Sequence, residues 1–246
     1  MTKFLSFLLV ATMLFSLSGC GNPEPSQSSS KPSTATPSAT HAPSVSEPEK
    51  TSEGEGDVSN NNSKMLVVYF SLPETTDPNN MTKAEEDSTV VINGEVLGNT
   101  QYVAYLIKQN TGADIFRIEP KTPYPADHKT LTDLAKDEQK NNTRPEIAAS
   151  VKNIEQYDDI FLGYPIWWAD MPMILYTFLE EYNLSGKTII PFNTHGGSGF
   201  SNTIKTIAEL QPNATVEQNG FTVSRNSVAD CENDVIAWLE SLKLAN

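Results

Sequence analysis

Met65-Leu66-Val67-Val68-Tyr69-Phe70-Ser71 is the stretch that decides the fold. Six apolar residues run without a polar break and stop on a hydroxyl. A strand with one wet face alternates apolar and polar side chains, so an unbroken run of this length predicts a strand covered on both faces. Such strands belong to parallel sheets whose helical crossovers bury both sides.

Read outward towards the C-terminus, the chain alternates strand-like and helix-like stretches. Gly98-Asn99-Thr100 opens a helix carrying Val103, Ala104, Leu106 and Ile107, closed near Thr111-Gly112. Asp114 to Ile118 reads as a second strand, stopped by Pro120, and Leu131 to Lys140 as an exposed helix. Asp159 to Gly163 is a third strand, Met173 to Tyr182 a helix, and Lys187 to Phe192 a fourth strand. A helix over Asn202 to Leu210, a short strand at Phe221-Thr222-Val223 and a closing helix from Val228 to Leu242 complete the series. Five strands alternating with helices predict an α/β fold: a doubly wound, five-stranded parallel sheet in a three-layer sandwich.

Between Ser71 and Gly98 the pattern is interrupted by residues 72–97. Val90-Val91-Ile92-Asn93-Gly94-Glu95-Val96-Leu97 places Asn-Gly between apolar runs, the signal of a two-residue hairpin turn. The insert is expected to form a small flap beside the helix start at Gly98-Asn99-Thr100, the candidate phosphate site.

Read outward towards the N-terminus, the character changes. Residues 20–64 are dominated by Ser, Pro, Thr, Glu and Asn. A segment this poor in large apolar side chains buries too little surface to offset its ordering entropy, and is expected to be a disordered tether. Before it, Lys3 and the apolar run Phe4 to Leu17 form a signal segment, residues 1–19, too short for a comfortable membrane span. The run ends in Leu17-Ser18-Gly19-Cys20, which resembles the bacterial lipobox. That resemblance implies cleavage before Cys20 and its acylation, several acyl chains giving a stable anchor where one would be marginal. The only other cysteine, Cys231, is then left without an intramolecular partner and reads as a small packed residue.

Ligands of open parallel sheets bind at the carboxyl ends of the strands, where the strand order reverses. Three such endings are unusual here. The first strand ends on Ser71, and Gly98-Asn99-Thr100-Gln101 brings hydroxyls and free N–H groups to a helix start, a composition suited to phosphate. The third is followed by Pro165-Ile166-Trp167-Trp168, a stiff aromatic loop on which a planar ring could stack. The fourth leads into Thr194-His195-Gly196-Gly197-Ser198-Gly199, where glycines let backbone N–H groups approach a ligand.

Together, Tyr69-Phe70-Ser71, Gly98-Asn99-Thr100, Pro165 to Trp168 and Thr194 to Gly199 resemble the flavodoxin-like proteins, and the last two motifs also resemble the flavodoxin-fold quinone reductases. The resemblance covers the chain from Met65 to Leu244. It implies the strand order 2-1-3-4-5 and FMN as cofactor. Ser71, Gly98, Asn99, Thr100 and Gln101 would serve its phosphate, and Pro165, Ile166, Trp167 and Trp168 its isoalloxazine. Thr194, His195, Gly196, Gly197, Ser198 and Gly199 would line the pyrimidine edge and ribityl chain. His195 is the candidate for a catalytic role, as a hydrogen-bond donor where reduction builds negative charge. The insert is the departure from the family pattern.

Other chemistries fit less well. Ser185-Gly186-Lys187-Thr188 has the tail of a phosphate-binding P-loop, but Glu181 occupies the upstream glycine position. His195-Gly196-Gly197 lacks the accompanying G-x-S-x-G elbow of an esterase. His41, His128 and His195 show no metal spacing, so no metal is expected. With 31 acidic against 17 basic residues the chain is a poor candidate for nucleic acid, and its charge could steer a basic redox partner. Three functions remain: an electron carrier for a protein partner, an FMN-dependent NAD(P)H oxidoreductase serving a quinone or similar acceptor, and a flavin-free binding module. The expected location is outside the cytoplasm, lipid-anchored to the bacterial cell membrane.

Overall fold

The computed structural model describes residues 63–245. The expected signal segment, the expected acylation of Cys20 and all of the expected tether but Ser63 and Lys64 lie outside the described residues. Those two residues are held: Ser63 Oγ donates to Asp159 at 2.5 Å and the Lys64 amide to Asp158 at 3.2 Å.

In chain order the elements are β1 (Met65–Tyr69), α1 (Lys83–Ser88), β2 (Thr89–Ile92), β3 (Glu95–Gly98), α2 (Asn99–Thr111), β4 (Asp114–Arg117) and α3 (His128–Asn141). There follow β5 (Asp159–Pro165), α4 (Met173–Glu181), β6 (Thr188–His195), α5 (Thr203–Leu210), β7 (Thr215–Val216), β8 (Phe221–Ser224) and α6 (Glu232–Ser241). The main sheet is wholly parallel, in the order β4-β1-β5-β6-β7, with β8 also paired to β6.

The opening run behaves as its composition requires. Leu66, Val68 and Phe70 enter one core, with Ile160, Leu162, Ile174, Phe178 and Ile207. Val67 and Tyr69 enter the other, with Val103, Ile107, Phe161, Val235 and Trp238. Successive side chains leave a strand on opposite faces, so a run that is buried twice must be apolar at every position. Helices α2 and α6 close one face and α4 and α5 the other.

The expected strand order holds, with one refinement. The fifth position is filled by two short strands: β7 pairs the start of β6 and β8 its end. Gln218-Asn219-Gly220 separates them, while the Glu217 N–H still donates to the Ile189 carbonyl at 2.8 Å. The closing helix is also shorter than its periodicity predicts, because Arg225–Asp230 forms a 3-10 turn and α6 starts only at Glu232. Cys231, at that junction, is fully buried, and burial pushes its thiol pKa up to about 11.

The insert forms the expected hairpin, with β2 and β3 antiparallel about Asn93-Gly94. Both turn residues have positive φ, 52° and 83°, the two-residue turn that matches strand twist. Helix α1, which the apolar pattern did not reveal, precedes the hairpin and is started by a capping box between Thr82 and Glu85. Val90 and Leu97 anchor the flap to the core beside α2.

Candidate functional site at the carboxyl ends of the strands

Sheet register aligns the three endings. Tyr69 pairs with Gly163, and Pro165 with Thr194. Continued by two residues, the same register sets Ser71 level with Pro165. All three endings therefore open on one edge of the sheet, where a cleft of about 220 Å³ lies between the insert and α3.

The floor is polar and buried. Ser71 and Gly98, separated by the whole insert in sequence, meet again here: Ser71 Oγ lies 2.2 Å from where a Cβ on Gly98 would stand. Glycine is needed at that position for approach, since its φ of −69° suits any residue. Thr100 and Thr194 share a buried hydroxyl–hydroxyl hydrogen bond of 2.8 Å, tying the start of α2 to the end of β6. Asn99 is 5% exposed; its Nδ2 donates to the Asp87 carbonyl at 2.9 Å, and its buried Oδ1 has no partner. A buried acceptor without a donor costs roughly 1–3 kcal/mol, and a ligand bearing hydroxyl or N–H groups would remove that cost.

One wall is aromatic. Trp167 and Asp170 exchange backbone hydrogen bonds of 2.8 and 3.0 Å across a two-residue turn. Trp168 and Ala169 at its tip have φ of 52° and 62°. Left-handed backbone at two non-glycine residues costs about 1–2 kcal/mol each, a strain that clusters at ligand sites. The two indoles differ. Trp167 packs edge-to-face on Phe70 and Tyr124, with ring centroids 5.5 and 5.7 Å apart. Trp168 is 51% exposed, docked on α3 through an Nε1 hydrogen bond to the Thr132 carbonyl and a Lys136 ammonium 5.0 Å from its ring centre.

The far end holds His195. Its Nδ1 accepts the Gly197 N–H at 2.8 Å, so the ring proton resides on Nε2. Burial lowers its pKa below 6.5. Both effects favour a neutral donor at pH 7. Below this aromatic wall, Tyr124 donates to Glu138 at 2.9 Å, and burial raises that carboxyl above its ordinary pKa despite the hydrogen bond.

Ten of the sequence-predicted residues line the cleft: Ser71, Asn99, Thr100, Pro165, Ile166, Trp167, Trp168, Thr194, His195 and Gly196. Five do not. Gly98 lies behind Ser71. The Gln101 side chain is engaged elsewhere, accepting from the Gly98 N–H at 3.2 Å and donating to Tyr105 at 2.9 Å. Gly197, Ser198 and Gly199 turn away from the lining, where the Ser198 carbonyl accepts from Ser201 and the Gly199 carbonyl from Asn193.

Sequence reasoning placed the insert beside the site but named none of the residues of this second wall as part of it. Leu72, Glu74, Ala84, Asp87 and Ser88 come from the insert, His128, Leu131, Thr132 and Ala135 from α3, and Arg225 from the turn after β8. Two contacts fasten the insert: the Glu74 carboxylate lies 2.9 Å from His128 Nδ1, and Asp87 pairs with Arg225 at 2.8 Å. The Thr82-x-x-Glu85 capping signal could have revealed α1 and with it Asp87; nothing local marks Arg225.

Several solved structures are similar to this chain. An inferred flavoprotein from Bacteroides eggerthii is 28% identical with a TM-score of 0.54, the match covering 74% of this chain and 99% of that one. Another from Bacteroides uniformis is 26% identical with a TM-score of 0.54, covering 72% and 98%. A flavoprotein from Lactobacillus acidophilus, solved in complex with FMN, is 18% identical with a TM-score of 0.49, covering 70% and 99%. Among curated proteins, none matches. The flavodoxin family profile matches residues 88–242, more than half of the sequence, and the chain belongs to the flavodoxin family.

Proposed function

We propose that the cleft binds FMN and that the domain moves electrons for a redox partner or small acceptor while tethered to the cell membrane through Cys20. The observation that carries this reading is the meeting, on one sheet edge, of a hydroxyl-rich floor at a helix N-terminus with a strained aromatic turn. The residues fit the cofactor. Ser71, Thr100 and the first N–H groups of α2 suit a phosphate. The unpartnered Asn99 Oδ1 suits a ribityl hydroxyl, and the Trp168 face, Ile166 and Leu131 suit a flat apolar ring.

A bound flavin supplies reversible one- or two-electron transfer; the protein supplies position and electrostatics. The Thr100–Thr194 pair fixes the floor. His195 holds a proton on Nε2 and can donate it as a hydrogen bond to charge that builds nearby. The insert and α3 narrow the access of water. Excess acidic residues favour a basic partner, and the tether between Cys20 and Lys64 gives the domain reach from the membrane.

Adding FMN to the purified, flavin-freed chain and recording its visible spectrum tests the cofactor. The reading expects a shifted, structured flavin band and quenched flavin fluorescence; an unchanged free-flavin spectrum would remove it. Fractionation of cells carrying Cys20→Ala tests the anchor, which requires movement of the protein from membrane to soluble fraction.

A further inference from the structure

The pairing of β8 with β6 does more than extend the sheet. His195 is in register with Ser224, so the next residue, Arg225, stands beside Gly196 at the rim of the cleft. A Cβ on Gly196 would lie 3.3 Å from Arg225 Nη1 and 3.4 Å from its Cζ. The guanidinium reaches past this glycine to Asp87, where Nη2 meets Oδ2 at 2.8 Å. The other carboxylate oxygen of Asp87 is held by Lys83 at 2.6 Å. Asp87 is therefore flanked by two cations; Lys83 also meets Glu86 at 3.7 Å, whereas Arg225 pairs with no other carboxylate among the described residues.

Asp87 is also fixed to the cleft floor through its backbone. Its carbonyl accepts from Asn99 Nδ2, and Asn99 is the floor residue whose buried Oδ1 lacks a donor. The Asp87 carboxylate thus stands where the insert meets the start of α2. A guanidinium matches the oxygen geometry of carboxylate and phosphate alike. Exchange of one for the other needs only a side-chain rotation, with the Asp87 backbone still tied to Asn99.

We infer that Arg225 is the cation of an anion subsite at this end of the cleft, and that Asp87 of the insert occupies it until a phosphate monoester takes its place. The inference rests on the flavin reading and adds a specificity to it: the site would distinguish a phosphorylated ligand from its dephosphorylated form through Arg225. It also gives the insert a task, as the bearer of a resident anion that weakens binding of the phosphate.

The test uses the full chain, freed of flavin, titrated with FMN and with riboflavin. Arg225→Gln should weaken FMN by about tenfold or more, the worth of a hydrogen bond between charged groups, and leave riboflavin within about twofold. Asp87→Asn should tighten FMN and leave riboflavin unchanged, a gain that misfolding cannot produce. Equal changes for the two flavins, or none, overturn the inference. Inorganic phosphate against chloride at matched ionic strength keeps the two readings apart. If wild type binds neither flavin but its melting temperature rises with phosphate, and Arg225→Gln abolishes the rise, the flavin reading fails and the anion subsite stands. If phosphate also has no effect, both fail.

Discussion

The two walls of the cleft are built on different principles. The aromatic wall grows out of the sheet: the Ile166 N–H donates to the Thr194 carbonyl at 2.9 Å, and Trp167 sits on Phe70, itself 1% exposed. The insert wall is held across the opening by Glu74–His128 and Asp87–Arg225, in which the carboxylates are 6% and 18% exposed and their partners 52% and 40%. Apolar packing is costly to disturb, whereas a polar contact that opens to water on one side is cheaper to break and can exchange partners. One wall sets where a ligand lies; the other can adjust to what the ligand is.

The largest contrast lies within the aromatic wall. Trp167→Ala should destabilise the domain by about 3 kcal/mol, near the low end for a buried indole because the ring is partly exposed. Trp168→Ala should cost under about 1 kcal/mol in stability and yet weaken FMN by about tenfold, the worth of a lost stacking partner. Denaturant melts and flavin titrations on both variants check this. Similar losses for the two would erase the distinction drawn between adjacent tryptophans.

On the insert side, Glu74→Gln should change stability by no more than about 1 kcal/mol. Hydrogen exchange of residues 72–82 should quicken while that of β1, β5 and β6 stays as it was. Exchange that quickens throughout the sheet would show that the insert is part of the cooperative core.

How much of this was legible depends on how local the cause was. The Met65–Phe70 run, the Asn93-Gly94 turn and the Gly98 helix start were readable because composition, turn chemistry and capping act over a few residues. The split fifth strand was not, since Thr215-Val216 is too short to show periodicity and is a strand only because β6 offers its edge. The same holds for the site. Ser71, Thr100 and Trp168 announce themselves at element ends, but Arg225 reaches the cleft through the register of two distant strands. The Gln101 side chain serves as a cap, and a capping side chain and a phosphate ligand look alike in sequence. The two tryptophans could not be told apart before Phe70 and Tyr124 were placed beside the first.

Smaller effects follow from protonation. Glu138 is buried with a raised pKa, so its contribution is fully present below the ordinary carboxylate pKa and lost as pH rises through its folded value. Glu138→Gln keeps an acceptor for Tyr124 without the charge. It should therefore match wild type near pH 4 and melt higher than wild type at pH 7. A lower melting temperature at pH 7 would mean that the carboxylate, not its neutral form, is what the site was built for.

His195 works in the opposite direction. Its pKa is lowered by burial, so the unfolded chain binds more protons below pH 6.5 and stability falls as the solution is acidified. His195→Gln should remove that slope and leave stability at pH 8 nearly unchanged. With flavin bound, His195→Ala, which has no side-chain donor, should have a lower midpoint potential at pH 7, where the neutral ring is the donor that is lost. Identical potentials would leave only the backbone of this loop in the site.

The most direct test of the central claim is a crystal structure of the domain with FMN. The account predicts the flavin between the two walls, with its phosphate at Ser71, Thr100 and Arg225, a hydroxyl of its ribityl chain on Asn99 Oδ1, and its ring against Trp168. Flavin bound anywhere else on the protein, or no flavin at saturating concentration, would contradict it.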